Sequence, residues 1–391
     1  MTGTTVDTAA ESRQQLRNRF DRMEWAGAFG DLGTLIPFVA AYIGVLRLDP
    51  FGILFAFGAS MVVCGLFYKT PFPVQPMKAI GAVAALQAVQ TAVVTPGAVY
   101  SAALMTGVFW LFLGLTGLTS RIAKLVPPIV VTGIVLGLGF GFMLEGVKMM
   151  QTSWLIATIG AAGTLLLMGS RTMPAMFVLL LFGAAVGAYQ HPELLTQIAN
   201  TQFGFRAPKL ALTEISWNSF WVGVGLLALP QIPLTLGNAI LAIKEENNRL
   251  FPSHPVTEGG VAVSTGIMNL FSGTLGGIPM CHGAGGMAAH VAFGARTGGS
   301  VVIGGSVLLI LALMFSGSVE VLFQLFPAAV LGVILFSTGV QLALGGSQLP
   351  STRGGRIVVL VTAALCMYNV AVGFLVGIAL HHLNERRRLK F

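Results

Sequence analysis

Charge is scarce in this chain. Only 9% of its 391 residues are Asp, Glu, Lys or Arg, against roughly 25% in soluble domains, which excludes a water-soluble globular protein. Cysteine is nearly absent. Cys64, Cys281 and Cys366 lie in separate apolar runs without metal-ligand spacing, so no disulfide framework, metal or cofactor is expected. A secretory leader is not expected either: residues 1–23 are polar, and the first apolar run, from Trp25, is long enough to stay as a span. The net charge is +8, yet the basic residues sit in short gaps between apolar runs. They read as topology signals and not as a nucleic-acid surface.

What the chain has in abundance is hydrocarbon: 55% of residues are hydrophobic and the mean hydropathy is +0.82. Apolar segments of about 20 residues recur from Trp25 to Leu383, each able to cross ~30 Å of hydrocarbon as a helix. A β-barrel would need short alternating strands instead. The expected fold class is an all-α integral membrane protein with fourteen transmembrane segments. First-half spans fall near 25–46, 50–68, 73–93, 98–119, 122–146, 152–169 and 173–190. Second-half spans fall near 217–243, 257–276, 278–295, 299–317, 320–346, 355–368 and 369–384.

The last pair is the least distinct, because 355–383 is one apolar stretch interrupted only around Tyr368 and Asn369. Charge favours two spans. With fourteen crossings and a cytoplasmic N-terminus, only Arg47, Lys148, Arg206 and Lys209 fall outside, and Lys78 lies within a span. Thirteen crossings would put Arg386, Arg387 and Arg388 on the wrong side. Both termini are therefore expected in the cytoplasm, with a bacterial plasma (inner) membrane as the location. The divisions are a tail at 1–24, a first repeat at 25–190, an extracytoplasmic linker at 191–216, a second repeat at 217–384 and a tail at 385–391. In the first tail Leu16, Phe20 and Met23 stand at helical spacing among arginines, which suits either a helix lying on anionic lipid or a solvated tail.

Residues 125–146 lie over 325–346 without a gap, matching Leu125 with Leu325, Pro127 with Pro327, Gly139 with Gly339, Leu144 with Leu344 and Gly146 with Gly346. GDLGT (30–34) falls on LTLGN (234–238), and PVQ (73–75) on PMC (279–281), at nearly the same offset. Chance alignment of Gly- and Ala-rich segments is the competing reading. Seven spans, an odd number, separate equivalent positions, so the second copy enters from the opposite face. An inverted repeat of two seven-segment halves points to a secondary transporter.

Two segments at corresponding positions break the apolar pattern: TPFPVQPMKAIGAVAAL (70–86) and GGIPMCHGAGGMAAHVAFG (276–294). Pro71, Pro73 and Pro76 demand extended chain and then a helix start, and Pro279 plays the same part in the second copy. Segments 3 and 10 are thus expected to be part short strand, part half-helix. Half-helices beginning near mid-membrane would present free N–H groups and partial positive charge to a shared site, which suits an anion. Lys78 adds a full cation there, and an intramembrane ammonium is a functional candidate by default. Its alternatives are snorkelling or pairing with Asp31. Gln75 and His282 can donate hydrogen bonds, and Cys281 can pack beside them. Near the first span of each half Asp31, Thr34, Gln231, Thr235 and Asn238 are polar residues in apolar surroundings. Asp31 suggests a protonation site, while the neutral residues either line a cavity or bond neighbouring helices.

FGDLGTLIPF (29–38), PFPVQPMKAI (71–80), PQIPLTLGNAI (230–240) and MNLFSGTLGGIPMCHGAGGMAAHVAFGARTG (268–298) together closely resemble the molybdate transporter family of plants and bacteria, a branch related to the sulfate permeases. The resemblance runs over nearly the whole chain. It implies the uracil permease and sulfate permease fold, with a core domain (25–119 plus 217–317) carrying substrate and a gate domain (120–190 plus 320–384). It also implies that Gln75, Lys78, Cys281, His282 and Gly283, with Met77 and Ala284 beside them, lie at substrate-facing ends of segments 3 and 10. Asp31, Thr34, Gln231 and Asn238 fall on segments 1 and 8. Relatives commonly pair through their gate domains, so a homodimer is expected. Sulfate permeases usually end in a cytoplasmic regulatory domain, which is not expected in a chain stopping at Phe391.

Importing a dianion against an inside-negative potential costs about 4.6 kcal/mol at 100 mV. Proton symport by alternating access is therefore expected, with Asp31 and His282 as proton carriers. Sulfate or another tetrahedral oxyanion is the alternative cargo, and a passive anion channel the alternative class. An enzyme is not expected, because Cys281 and His282 alone supply too little chemistry. A nucleobase symporter would be expected to carry a carboxylate in place of the HGAGG turn.

Overall fold

The computed structural model describes residues 17–31, 35, 38–39, 42–43, 46–78, 80–81, 94–123, 127–167, 175–199, 204–315, 326–345, 349–367 and 370–385. The described chain is almost wholly helical. In order come α1 (Arg22–Ala28), α2 (Pro50–Tyr68), strand β1 (Gln75–Pro76), α3 (Pro96–Leu115), α4 (Leu118–Ala123), α5 (Pro128–Met150), α6 (Trp154–Leu167), α7 (Ala175–Gln190) and α8 (Pro192–Ala199). An unbroken helical run from Trp217 to Leu250 forms α9, followed by α10 (Glu258–Thr274), β2 (Met280–Cys281), α11 (Ala284–Ala292), α12 (Gly299–Phe315), α13 (Ala328–Gly345), α14 (Arg353–Cys366) and α15 (Val370–Glu385).

Helix starts follow local chemistry. Asp49 caps α2 by accepting the Phe51 N–H, with Pro50 in the first turn. Thr95 precedes Pro96 at α3 in the same way, and Thr257 and Thr352 cap α10 and α14. Three described helices, α2, α3 and α5, are long and apolar enough to cross a membrane. Phe67, Leu115, Leu155, Leu165, Leu166 and Leu181 are each at least two-thirds exposed. Such a surface is untenable in water and correct against lipid, so the protein is an integral membrane protein.

Between helices the backbones nearly touch. At α2 and α12, a methyl group on Gly58 would lie 2.7 Å from the Gly305 carbonyl, and one on Gly305 would lie 2.6 Å from that of Gly58. At α5 and α13, Gly139 and Gly339 stand in the same mutual relation, at 2.8 and 2.6 Å. Small residues permit this approach, which supplies the dispersion contacts that hold helices together where no hydrophobic force acts between them. α3 packs on α10 in parallel fashion to α2 on α12.

Two boundaries differ from the hydropathy reading, and a third division agrees with it. α5 starts at Pro128 instead of 122, because Pro127 and Pro128 are tolerated only at a helix start. α9 continues to Leu250, past the apolar run, as its last turns are polar but form good helix. The stretch after Ser351 divides into α14 and α15, which fold back so that Gly377 lies against Thr362 and Gly373 against Cys366.

Glu24 joins the first helix to α12. Its fully buried carboxylate accepts the N–H groups of Arg296 (3.0 Å), Thr297 (2.9 Å) and Ser300 (3.1 Å), taking up donors that the start of α12 leaves unbonded. Burial pushes its carboxyl above the ordinary Glu range.

Candidate functional site

The site grows from the two proline-bearing segments. After α2 ends with Lys69 as its cap, residues 71–74 are neither helix nor strand, since Pro71 and Pro73 cannot continue a helix. β1 pairs antiparallel with β2, Gln75 opposite Cys281 and Pro76 opposite Met280, and the Met77 N–H donates to the Pro279 carbonyl at 2.9 Å. Helix resumes at Lys78, with Gly81 N–H bonded to the Met77 carbonyl (3.0 Å). On the other strand, α11 begins at Ala284 with Gly283 in extended conformation at its cap and no side-chain cap.

α10 holds β2 in place. The Asn269 amide donates to the Met280 carbonyl (2.5 Å) and accepts its N–H (2.8 Å), and Ser272 Oγ donates to the Ile278 carbonyl (2.7 Å). Thr265, Asn269 and Ser272 share one face of α10 and all are buried.

Around this crossing the polar side chains converge. Gln75 Nε2 lies 2.8 and 2.7 Å from the two carboxylate oxygens of Asp31. The backbone of α11 presses on this pair: a methyl on Gly286 would lie 2.9 Å from Gln75 Nε2 and 3.0 Å from Asp31 Oδ2. A methyl on Gly283 would overlap the Gln75 amide and lie 3.7 Å from Asn238 Nδ2. Asn238 Oδ1 is buried with no hydrogen-bond partner among the described residues. It sits in a π-helical stretch of α9, Thr235–Ala242, and such wide turns recur at functional sites. One turn earlier Gln231 Nε2 donates to Thr235 Oγ1 (3.0 Å).

Lys78 completes the cluster. Its ammonium is buried and has no hydrogen-bond partner among the described residues. It sits 3.9 Å from the centre of the Phe142 ring on α5, within electrostatic reach of Asp31 and Cys281. Both Asp31 oxygens lie on Gln75, and no Lys78–Asp31 hydrogen bond or ion pair stands among the described residues. An aromatic face contributes about 2 kcal/mol to a desolvated cation, less than an ionic partner would. The arrangement leaves a cation and two helix starts able to accept an anion.

His282 is placed differently from Lys78. One ring nitrogen, Nδ1, donates to the Pro73 carbonyl (2.8 Å), and Nε2 meets Ser264 Oγ (2.8 Å), which in turn meets the Tyr68 hydroxyl (2.6 Å). The ring lies edge-on to Phe72 at 4.9 Å. Both nitrogens are engaged in holding strand to helix. Cys281 is buried opposite Gln75, while Met77 and Ala284 are fully buried and contribute backbone to the crossing. Thr34 lies outside the described residues. Phe142 and Asn269 were not singled out by sequence. The repeat of small polar residues at helical spacing in 265–272 marks Asn269; nothing local marks Phe142.

The family model described as "Molybdate transporter of MFS superfamily" matches residues 23–142 and 223–342. The chain belongs to the molybdate transporter family. Membership of this family puts it among transporters and not enzymes. It is 29% identical to molybdate transporter 2 of Arabidopsis thaliana, over 96% of this chain and 90% of that protein. In fold it is similar to the murine solute carrier 26 family member A9 anion transporter in the inward-facing state (TM-score 0.61, 14% identity, 100% of this chain, 73% of the other). It is also similar to the transmembrane domain of a cyanobacterium bicarbonate transporter (TM-score 0.51, 19% identity, 90% and 97%).

Proposed function

We propose that this member of the molybdate transporter family imports molybdate by proton-coupled alternating access, binding the oxyanion at the strand crossing. The observation that carries the reading is the buried Lys78 ammonium, which has an aromatic ring beside it and no hydrogen-bond partner among the described residues, at the start of a helix whose strand pairs with the strand leading to the glycine-capped α11. A tetrahedral dianion supplies the charge and acceptor oxygens that this group lacks. Gln75, Asn238 and the backbone at Gly283 and Ala284 serve as the surrounding donors, while Met77 fixes the crossing through its N–H on Pro279.

Fourteen crossings in two inverted seven-segment halves, with half-helices in segments 3 and 10, are part of this reading. Two facts support the inversion. Positions equivalent in the repeat face one another, Gln75 against Cys281 and Gly139 against Gly339, as a twofold relation requires. The two stretches matched by the family model also lie 200 residues apart, 23–142 and 223–342. The core domain is 25–119 plus 217–317 and the gate domain 120–190 plus 320–384, so Lys78 and Phe142 meet across their boundary. A homodimer through the gate domains, in a bacterial plasma membrane with cytoplasmic termini, completes the arrangement.

Asp31 carries the coupling proton. Protonation neutralises it beside an arriving dianion and loosens its hold on Gln75. His282, with both nitrogens engaged, is a structural element in this scheme. The test is uptake of labelled molybdate by purified protein in vesicles. An acid-outside gradient should drive accumulation, and Asp31→Asn should take up molybdate at a rate indifferent to that gradient. Wild-type uptake that ignores the gradient, or turnover at channel rates, overturns the coupling.

A further inference from the structure

A second basic cluster lies away from the crossing, on the face that charge distribution assigns to the cytoplasm. Arg17, Arg19, Lys69, His254 and Arg296 line one cavity of about 770 Å³ whose lining holds no Asp or Glu. We propose that this cavity is a binding site for a phosphate-type oxyanion group, separate from the Lys78 site.

Four separate stretches of chain bring these side chains together, and each is fixed by its own backbone contacts. The Arg19 N–H donates to Thr297 Oγ1 (3.1 Å), and the neighbouring Asn18 amide donates to the Gly65 carbonyl (3.0 Å). Lys69 ends α2 in left-handed conformation, φ 58°, a state in which a residue with a side chain is uncommon. The His254 carbonyl accepts from Asn247 Nδ2 (2.7 Å). Arg296 is anchored through its N–H to Glu24 (3.0 Å), and its guanidinium donates to the carbonyls of Val291 (2.9 Å) and Ala295 (2.7 Å).

Carboxylates do not balance the charge within the cavity. Arg19 has Asp21 at 3.9 Å and Glu24 at 3.7 Å, but Glu24 is already engaged by three backbone N–H groups. Arg17 and Lys69 have no ion-pair partner among the described residues. Positive loops on this side need only be numerous to set topology; they need not converge on one cavity. Convergence of guanidinium and ammonium groups around an open space is the chemistry of phosphate and related oxyanions. The group could belong to an anionic lipid headgroup or to a free oxyanion.

Binding is measured on purified full-length protein in neutral detergent by thermal shift, with three probes: short-chain phosphatidylglycerol, short-chain phosphatidylcholine, and inorganic phosphate. Four proteins are compared: wild type, Arg17→Gln/Lys69→Gln, Arg353→Gln as a surface-charge control, and Lys78→Met. A saturable shift with phosphatidylglycerol or phosphate, unaltered in Lys78→Met and Arg353→Gln and weakened about tenfold or more in the double variant, supports the site. Phosphatidylglycerol alone acting identifies a lipid headgroup; phosphate acting identifies a free anion. The proposal is overturned by no shift in wild type, or by a shift that phosphatidylcholine reproduces. It is also overturned if the double variant keeps wild-type affinity or Arg353→Gln loses as much, and binding abolished by Lys78→Met alone would move it to the transport site.

Discussion

Replacing Lys78 with Met removes the charge and keeps the chain length that packs on Phe142. In the wild type the ammonium has no hydrogen-bond partner among the described residues and a ring centre 3.9 Å away. A dianion arriving at about 4 Å gains roughly 8 kcal/mol of Coulomb energy at an effective dielectric of ~20. Loss of the ring contact returns about 2 kcal/mol, and dehydrating the anion removes several more. About 3 kcal/mol remains, which is a Kd raised roughly 100-fold in Lys78→Met. Equilibrium dialysis of labelled molybdate against purified protein measures it directly. The same substitution deletes an unpaired buried charge, so the thermal midpoint should hold or rise. A well-folded variant whose Kd stays within about threefold of wild type refutes the placement of the anion at Lys78.

Gly283→Ala puts a methyl into the Gln75 amide. Gln75 must then leave Asp31, losing a charge-assisted bond of about 1.5–3 kcal/mol; vesicle uptake should fall about tenfold or more and the melting midpoint should drop by a few degrees. Asp31→Asn should abolish the response of uptake to a pH gradient, as set out above. Glu24→Gln tests the α1–α12 link. Because burial raises the native carboxyl above its ordinary value, the folded chain binds this proton more tightly than the unfolded one. Its stabilisation is complete below the ordinary Glu value and lost as pH rises through the native value. Melting curves across that window should slope downward in wild type and flatten in Glu24→Gln; equal slopes in both remove Glu24 as the cause.

Much of this site could be read in the sequence because its residues break local rules. Pro71, Pro73 and Pro76 forbid a helix where hydropathy asks for one, and Lys78 is a cation where lipid excludes it; both effects act within a few residues. Gln75 and Asp31 stand out for the same reason, although nothing in their spacing says that they bond each other. His282 shows the limit. A histidine after a strand in mid-membrane reads equally well as ligand or proton carrier, and only the positions of Pro73 and Ser264 reveal that its nitrogens are engaged. Phe142 is an apolar residue in an apolar helix, and its relation to Lys78 exists only through the packing of α5 on the rest. The division into α14 and α15 was legible only through charge: 355–383 carries almost no polar residue to mark a turn, and the placement of Arg386, Arg387 and Arg388 is what asked for two segments.

The seam between α5 and α13 has a bearing on the ligand that it never touches. Gly139 sits one turn from Phe142 on α5, and a single methyl at Gly139 or at Gly339 would meet the opposite carbonyl at under 3 Å, so the two rods would have to part. Phe142 would travel with its rod, and the grip of the ring on the resting ammonium would slacken. If the proposed site holds the anion at Lys78, the absence of two side chains at this seam sets how firmly Phe142 competes for that ammonium, and widening the seam would change affinity from a distance.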